Sequence, residues 1–161
     1  MGLSKLFWGN STRHRRKQRR VTRRKKYQRG GEFSVAFQGK EAKGNLRARS
    51  ETLVHPIVSW NAVPDKLYTV LMWDPDAPAS SWIHLFVINT PSANLTQGQT
   101  LLAYEPPTPP SGTHRYFVSV YQQPQKLEIS APAERGNFDV SAFVAKHALV
   151  KIGEKMIRVS A

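Results

Sequence analysis

Two short stretches of this chain carry residues that could do chemistry together. Asp74-Pro75-Asp76-Ala77-Pro78 places two carboxylates in a turn directly after the apolar run Tyr68–Trp73. Gly112-Thr113-His114-Arg115-Tyr116 brings an imidazole and a guanidinium to the start of another apolar run. If the two runs are neighbouring strands, Asp74, Asp76, His114 and Arg115 meet at one end of a sheet, where side chains can be exposed while their backbones are held. Two adjacent carboxylates repel, so each needs a cation or a donor, or one must keep a proton. The planar fork of Arg115 suits bidentate pairing with Asp76 as a structural link. Asp74 is then left to face a small anion-binding pocket with His84 and His114. If the backbone stays extended through the turn, both carboxylates point to the same side.

Other chemistries find less support. Asp and His beside a polar ligand can move protons, but the nearby Ser111 and Thr113 sit in no G-x-S-x-G elbow that would make a nucleophile. The chain therefore reads as a binding protein and not an enzyme. Two Asp and two His suffice in kind for a metal, yet Asp-x-Asp lacks the remaining ligands of a calcium loop, and no metal or cofactor is called for. The absence of cysteine excludes disulfides and thiolate zinc sites and is compatible with a reducing compartment. His84, inside the apolar run Trp82–Asn89, is by itself an ordinary candidate for a satisfied core residue.

The elements that must position these residues follow from periodicity. Leu67–Trp73, Trp82–Asn89 and Arg115–Tyr121 read as central strands because both faces are largely apolar. Phe33–Phe37 alternates as a half-buried strand should, and Thr52–Trp60 reads as a strand that Pro56 moves to an edge or a bulge. Residues 39–49 read as loop. Tyr104–Gly112, with Pro106, Pro107, Pro109 and Pro110, must be extended and stiff. From Asn137 to Leu149 the period changes: Val140, Phe143, Val144 and His147 fall on one face of a short helix capped by Asn137 or Asp139. Leu149–Ile152 and Met156–Val159, on either side of Gly153, read as a final hairpin. The class is mostly β, with one short helix near the C-terminus.

Four motifs now stand in a fixed order: DPDAP after an apolar strand, Trp82-Ile83-His84, Tyr104-Glu105-Pro106-Pro107, and GTHRY. In order and approximate spacing they resemble the phosphatidylethanolamine-binding protein family, which includes the Raf kinase inhibitor proteins, from about Phe33 to the C-terminus. The resemblance implies two antiparallel sheets in a Greek-key-like sandwich. It also implies an anion site lined by Asp74, Pro78, His84, His114 and Tyr116, where phosphate oxygens accept bonds from protonated His or from the Tyr hydroxyl. Pro78, with Pro75, Pro109 and Pro110, would form rigid walls, and Ala77–Pro78 is a candidate cis bond in so tight a turn. Animal members continue into a C-terminal helix over the pocket; this chain ends at Ala161, which implies a more open pocket. An arginine arm is not ordinary in the family.

That arm dominates the charge. Residues 1–31 hold 12 Lys and Arg and no acid, whereas residues 32–161 hold 12 against 11 Asp and Glu, so most of the formal +13 lies in an N-terminal arm and the rest is a nearly neutral domain. Arg13, Arg15, Arg16, Lys17, Arg19, Arg20, Arg23, Arg24, Lys25, Lys26 and Arg29 repel one another too strongly to fold alone and are expected to order on an anionic partner. Gly30-Gly31 is the hinge. Nucleic acid, RNA before DNA, is the first reading, by counterion release and stacking on His14 and Tyr27. The domain would then be a structural component anchored in a ribosome or virus particle. An anionic membrane surface, with Leu3, Leu6, Phe7 and Trp8 in the interface, is another. In the alternative function the arm is an address, and the pocket takes a phosphate, a phospholipid headgroup or a phosphopeptide as a kinase-inhibitor-like signalling module. No apolar run reaches the ~20 residues of a membrane-spanning helix. The expected location is intracellular: cytoplasm, mitochondrion or virus particle.

Overall fold

A computed structural model describes residues 33–42 and 46–161 of the chain. The cations Arg13 to Arg29, the Gly30-Gly31 hinge and the Leu3–Trp8 segment lie outside the described residues. Nine strands and one α-helix are described: β1 (Ser34–Phe37), β2 (Lys40–Glu41), β3 (Leu46–Arg47), β4 (Ile57–Ser59), β5 (Leu67–Asp74), β6 (Trp82–Thr90), β7 (Gln99–Leu102), β8 (Thr113–Gln123), α1 (Val140–Lys146) and β9 (Val150–Ser160). No helix among them is long and apolar enough to cross a membrane.

The strands form two sheets, a small one in the order β2-β1-β4 and a six-stranded one in the order β3-β9-β8-β5-β6-β7. Strands β5, β6 and β7 run as a meander, and β8 returns to lie beside β5, which is the Greek-key order. The returning connection is the proline-rich stretch after β7, so topology alone brings it across the end of β5 and β8. All ladders are antiparallel except the short β3–β9 pairing, which is parallel. Alternation splits the apolar side chains between two faces. Val35, Phe37 and Val58 of the small sheet pack against Val70, Met72, Val118, Val120 and Ile157 of the large one. The opposite face, with Leu71, Phe86, Ile88 and Tyr121, packs against Val140, Phe143 and Val144 of α1. Each fully buried Val, Leu or Phe contributes about 1.5–3 kcal/mol.

The central strands and the helix lie where periodicity puts them. Asp139 is the cap, accepting a bond from the Ala142 amide at 2.8 Å. Elsewhere the structure differs from the sequence reading. The expected strand 52–60 is only Ile57–Ser59, at the edge of the small sheet, after a 3-10 turn over Arg49–Thr52. The expected loop 39–49 contributes β2 and β3. Strand β7 was not expected, because Gln-Thr-Leu-Leu is short and half polar. The final hairpin is instead one strand, β9, running through Gly153. Gly153 marks close packing and not a turn: a Cβ there would lie 2.3 Å from Cγ of Phe33.

Candidate functional site

The site forms where β5 ends, β6 begins and β8 begins, under the proline-rich connection. Asp74 is the last residue of β5 and is 3% exposed. Its Oδ2 accepts a bond from His114 Nδ1 at 2.8 Å, and its Oδ1 accepts the Asp76 amide at 2.8 Å. That second bond folds the chain back within two residues, so the extended backbone that would aim both carboxylates alike does not occur. Asp76 turns away to Arg115 and accepts from its Nε at 2.9 Å, its Nη2 at 2.6 Å and its backbone amide at 2.9 Å. The Arg115 guanidinium holds the Asp76 carboxyl down at about 2. His114 and Arg115 alternate across β8, which puts the carboxylate–imidazole pair inside and the carboxylate–guanidinium pair outside.

His84 reaches the same hollow through an irregularity in the sheet. Met72 pairs with Leu85 and Trp73 with Ile83, so His84 is an extra residue in β6 at a β-bulge. Ile83 and Phe86 pack on the helix side, while Leu85 and Val87 pack between the sheets. The bulge lets two consecutive residues, His84 and Leu85, turn inward, a common way to re-aim a side chain at a site. His84 Nδ1 donates to the Glu105 carbonyl at 2.7 Å, and the Glu105 amide donates back to the His84 carbonyl at 2.8 Å. The ring lies edge-on to Tyr116, with centroids 5.1 Å apart. Burial pushes the His84 pKa below its ordinary value, partly opposed by its bond to Glu105 and by the Asp74 charge. Burial and the Asp74 carboxylate together push Tyr116 upward.

Asp74, Pro78, His84, His114 and Tyr116 line one cavity of about 280 Å³, with Pro109 and Pro110 on the facing wall. The Ala77–Pro78 bond is trans, as is every peptide bond among the described residues; the chain reverses instead at Ser80 and Ser81, with φ of 46° and 75°. No group of three or more His, Asp or Glu among the described residues is arranged to hold a metal ion.

Sequence reading missed the residues that hold the walls. Arg135 donates from Nη1 to the Ile83 carbonyl and from Nη2 to the Ala103 carbonyl, both at 2.9 Å, and its Nε lies 3.1 Å from Glu105 Oε2. Trp82 Nε1 donates to the same Glu105 oxygen at 3.2 Å. The segment continues along the acidic turn: the Asn137 amide donates to the Ala79 carbonyl at 2.7 Å, and Gly136 lies so close that a Cβ there would be 2.8 Å from the Ala79 Cβ. On the far wall the Arg49 guanidinium bonds the Pro109 carbonyl, and the Tyr104 hydroxyl donates to the Thr52 carbonyl at 2.6 Å. Such clamps join residues distant in sequence, and a charged residue in a loop gives no sign of them.

Similarity to known proteins agrees with this geometry. The sequence profile described as phosphatidylethanolamine-binding protein matches residues 24–154. Putative odorant-binding protein A5 of Drosophila melanogaster is 38% identical over 121 residues, which cover 66% of this chain and 58% of that protein. Protein MOTHER of FT and TFL1 homolog 2 of Oryza sativa subsp. japonica is 36% identical over 104 residues, 58% of this chain and 60% of that one. The chain spans about half the length of the curated relatives it matches. Among solved structures, carboxypeptidase Y inhibitor, complexed with its cognate proteinase, superposes with a TM-score of 0.72 at 22% identity over 80% of this chain and 82% of that one. The phosphatidylethanolamine-binding protein from Plasmodium vivax does so with a TM-score of 0.67 at 18% identity, over 80% and 84%. The solved structures share the fold, the profile covers most of the sequence, and the chain belongs to the phosphatidylethanolamine-binding protein family.

Proposed function

We propose that the domain is a non-enzymatic binding module whose cavity at the β5–β8 end takes a small phosphate-bearing ligand. One observation carries this reading. Two imidazoles, His84 and His114, enter one hollow with their Nδ1 atoms committed at 2.7 and 2.8 Å, so each offers Nε2 alone to a guest. The volume, near the lower end of ligand pockets at about 300 Å³, suits a headgroup-sized molecule. Titration with phosphate or phosphoethanolamine should move the His84 and His114 ring signals in NMR spectra, and His114→Ala should abolish the response. Unchanged signals at millimolar ligand would remove the reading.

A second reading concerns residues 1–31 and rests on their composition, 12 Lys and Arg with no acid. The arm anchors the domain to an anionic assembly, RNA first and a membrane surface second. RNA binding by the full chain should fall steeply with salt and vanish in a chain that starts at Glu32. Equal binding by both would exclude it.

A further inference from the structure

We infer that the cavity selects an anion carrying its own acidic proton, a phosphate monoester in its singly protonated form, and discriminates against anions of similar size without one. The inference rests on the proposed anion site and concerns which form of the anion fits it.

Most side-chain donors around the cavity are already committed. His84 Nδ1–H is spent on the Glu105 carbonyl, so the neutral ring presents Nε2 with a lone pair. Burial keeps that ring neutral near pH 7, since its pKa lies below the ordinary value. His114 Nδ1–H is spent on Asp74, the Tyr116 hydroxyl has the same carboxylate beside it, and the Trp82 indole N–H is spent on Glu105. Pro78, Pro109 and Pro110 have no backbone N–H to offer. The Thr108 hydroxyl remains as a side-chain donor at the wall. A fully ionised anion, which has only acceptors, would set its oxygens against the lone pair of His84 Nε2.

Charge leads to the same ligand. The groups around His84 are Asp74 on β5, Tyr116 and His114 on β8, Glu105 on the proline-rich connection and Arg135 before α1. Asp76 neutralises Arg115 and Glu105 faces Arg135, while Asp74 accepts a hydrogen bond from the His114 ring. Arg49, exposed at the rim on the Pro109 carbonyl, adds one positive charge that no carboxylate among the described residues pairs. With the Arg49 charge set against the Asp74 carboxylate, the site has little surplus positive charge, which suits a monoanion better than a dianion. A phosphate monoester with one proton meets both conditions, because its P–OH donates to His84 Nε2 and its remaining oxygens accept from the Thr108 hydroxyl.

The test uses the full chain and three probes, methyl phosphate, dimethyl phosphate and sulfate, measured by calorimetry from pH 5.5 to 8. At pH 6 methyl phosphate should bind at least about tenfold more tightly than dimethyl phosphate, which carries one charge but no proton, and than sulfate, which carries two charges and no proton. Its affinity should fall by about tenfold per unit as pH rises well past the second phosphate pKa near 6. In His84→Gln, whose amide can donate, the preference over dimethyl phosphate should shrink toward unity. Equal or tighter binding of dimethyl phosphate or sulfate at pH 6 overturns the inference and leaves the anion site standing, as does an unchanged preference in H84Q. Absence of binding by all three probes at every pH removes the anion site, and the inference with it.

Discussion

The central strands β5, β6 and β8 end in two polar clusters of opposite character. At the end away from the cavity, Gln123 Oε1 accepts from Thr69 Oγ1 and from the Asn89 amide, both at 2.9 Å, while its Nε2 donates to Asn89 Oδ1 at 2.7 Å and to the Gln125 carbonyl at 3.0 Å. Asn89 completes the knot with two bonds to the Leu127 backbone, at 2.8 and 2.9 Å. These groups are neutral, and donors and acceptors are matched within the fold. At the cavity end the groups are charged or titratable, and the imidazoles keep an uncommitted Nε2 each. A buried polar cluster that serves stability closes on itself; one that serves a ligand is left one partner short.

That contrast breaks first at the closed end. Gln123→Ala would strand Thr69 Oγ1 and the Asn89 amide, and leave Asn89 Oδ1 with the Leu127 amide alone, in a region where Gln123 is 2% exposed, at a cost of about 3 kcal/mol. Urea unfolding should show the loss, and the phosphate response of His84 and His114 should persist in the folded fraction. A phosphate response lost at this distance would mean that the two ends do not act separately. Arg135→Ala comes next, at about 2 kcal/mol for three bonds on a side chain 23% exposed. It also has an effect that simple destabilisation lacks. With Glu105 released, His84 loses the fixed acceptor for Nδ1–H, and nitrogen shifts of the ring should show a mixture of tautomers in place of one. A single unchanged tautomer would show that Glu105 is held without Arg135.

The sequence revealed these two ends unequally. The strands were legible because Leu67–Trp73, Trp82–Asn89 and Arg115–Tyr121 are apolar and β-branched on both faces, and Asp74 and His114 could be placed at their ends. The Asp76–Arg115 link followed from charge alone. The bulge was not legible: His84 turns inward only because β6 slips by one residue against β5, and register is a property of the pair of strands. The clamp between Glu105 and Arg135 was not legible either, because it joins the β7–β8 connection to the segment before α1, far apart in sequence. Gly153 suggested a turn, yet its lack of a side chain serves the Phe33 ring. Local pattern reports what a residue can do, while close packing and long-range clamps depend on neighbours that the pattern does not name.

The next effect is smaller because solvent screens the pair: Asp76 is 29% exposed and Arg115 is half exposed. The folded pKa of Asp76, about 2, lies below its ordinary 3.8, so the unfolded chain takes up the proton first as pH falls. The stabilisation is present in full above about pH 4 and is lost as pH falls through 2. Asp76→Asn should be less stable than the parent at pH 5 to 7 and converge with it toward pH 2. A difference between the two that stays constant over that range would mean the ion pair does not contribute.

The smallest effect has the same sign and comes from the open end. Burial lowers the His84 pKa below 6.5, so the unfolded chain binds a proton that the folded chain resists. Stability from this group is present above about pH 6.5 and declines as pH falls from there through the folded pKa. In phosphate-free buffer the parent should lose stability over this window relative to His84→Gln, which has nothing to titrate at that position. A methyl phosphate monoanion should reduce the loss, since it binds the neutral folded ring and not the unfolded chain. Parallel curves for parent and variant would place the proton equally in both states, and the open end would then differ from the closed one in charge alone.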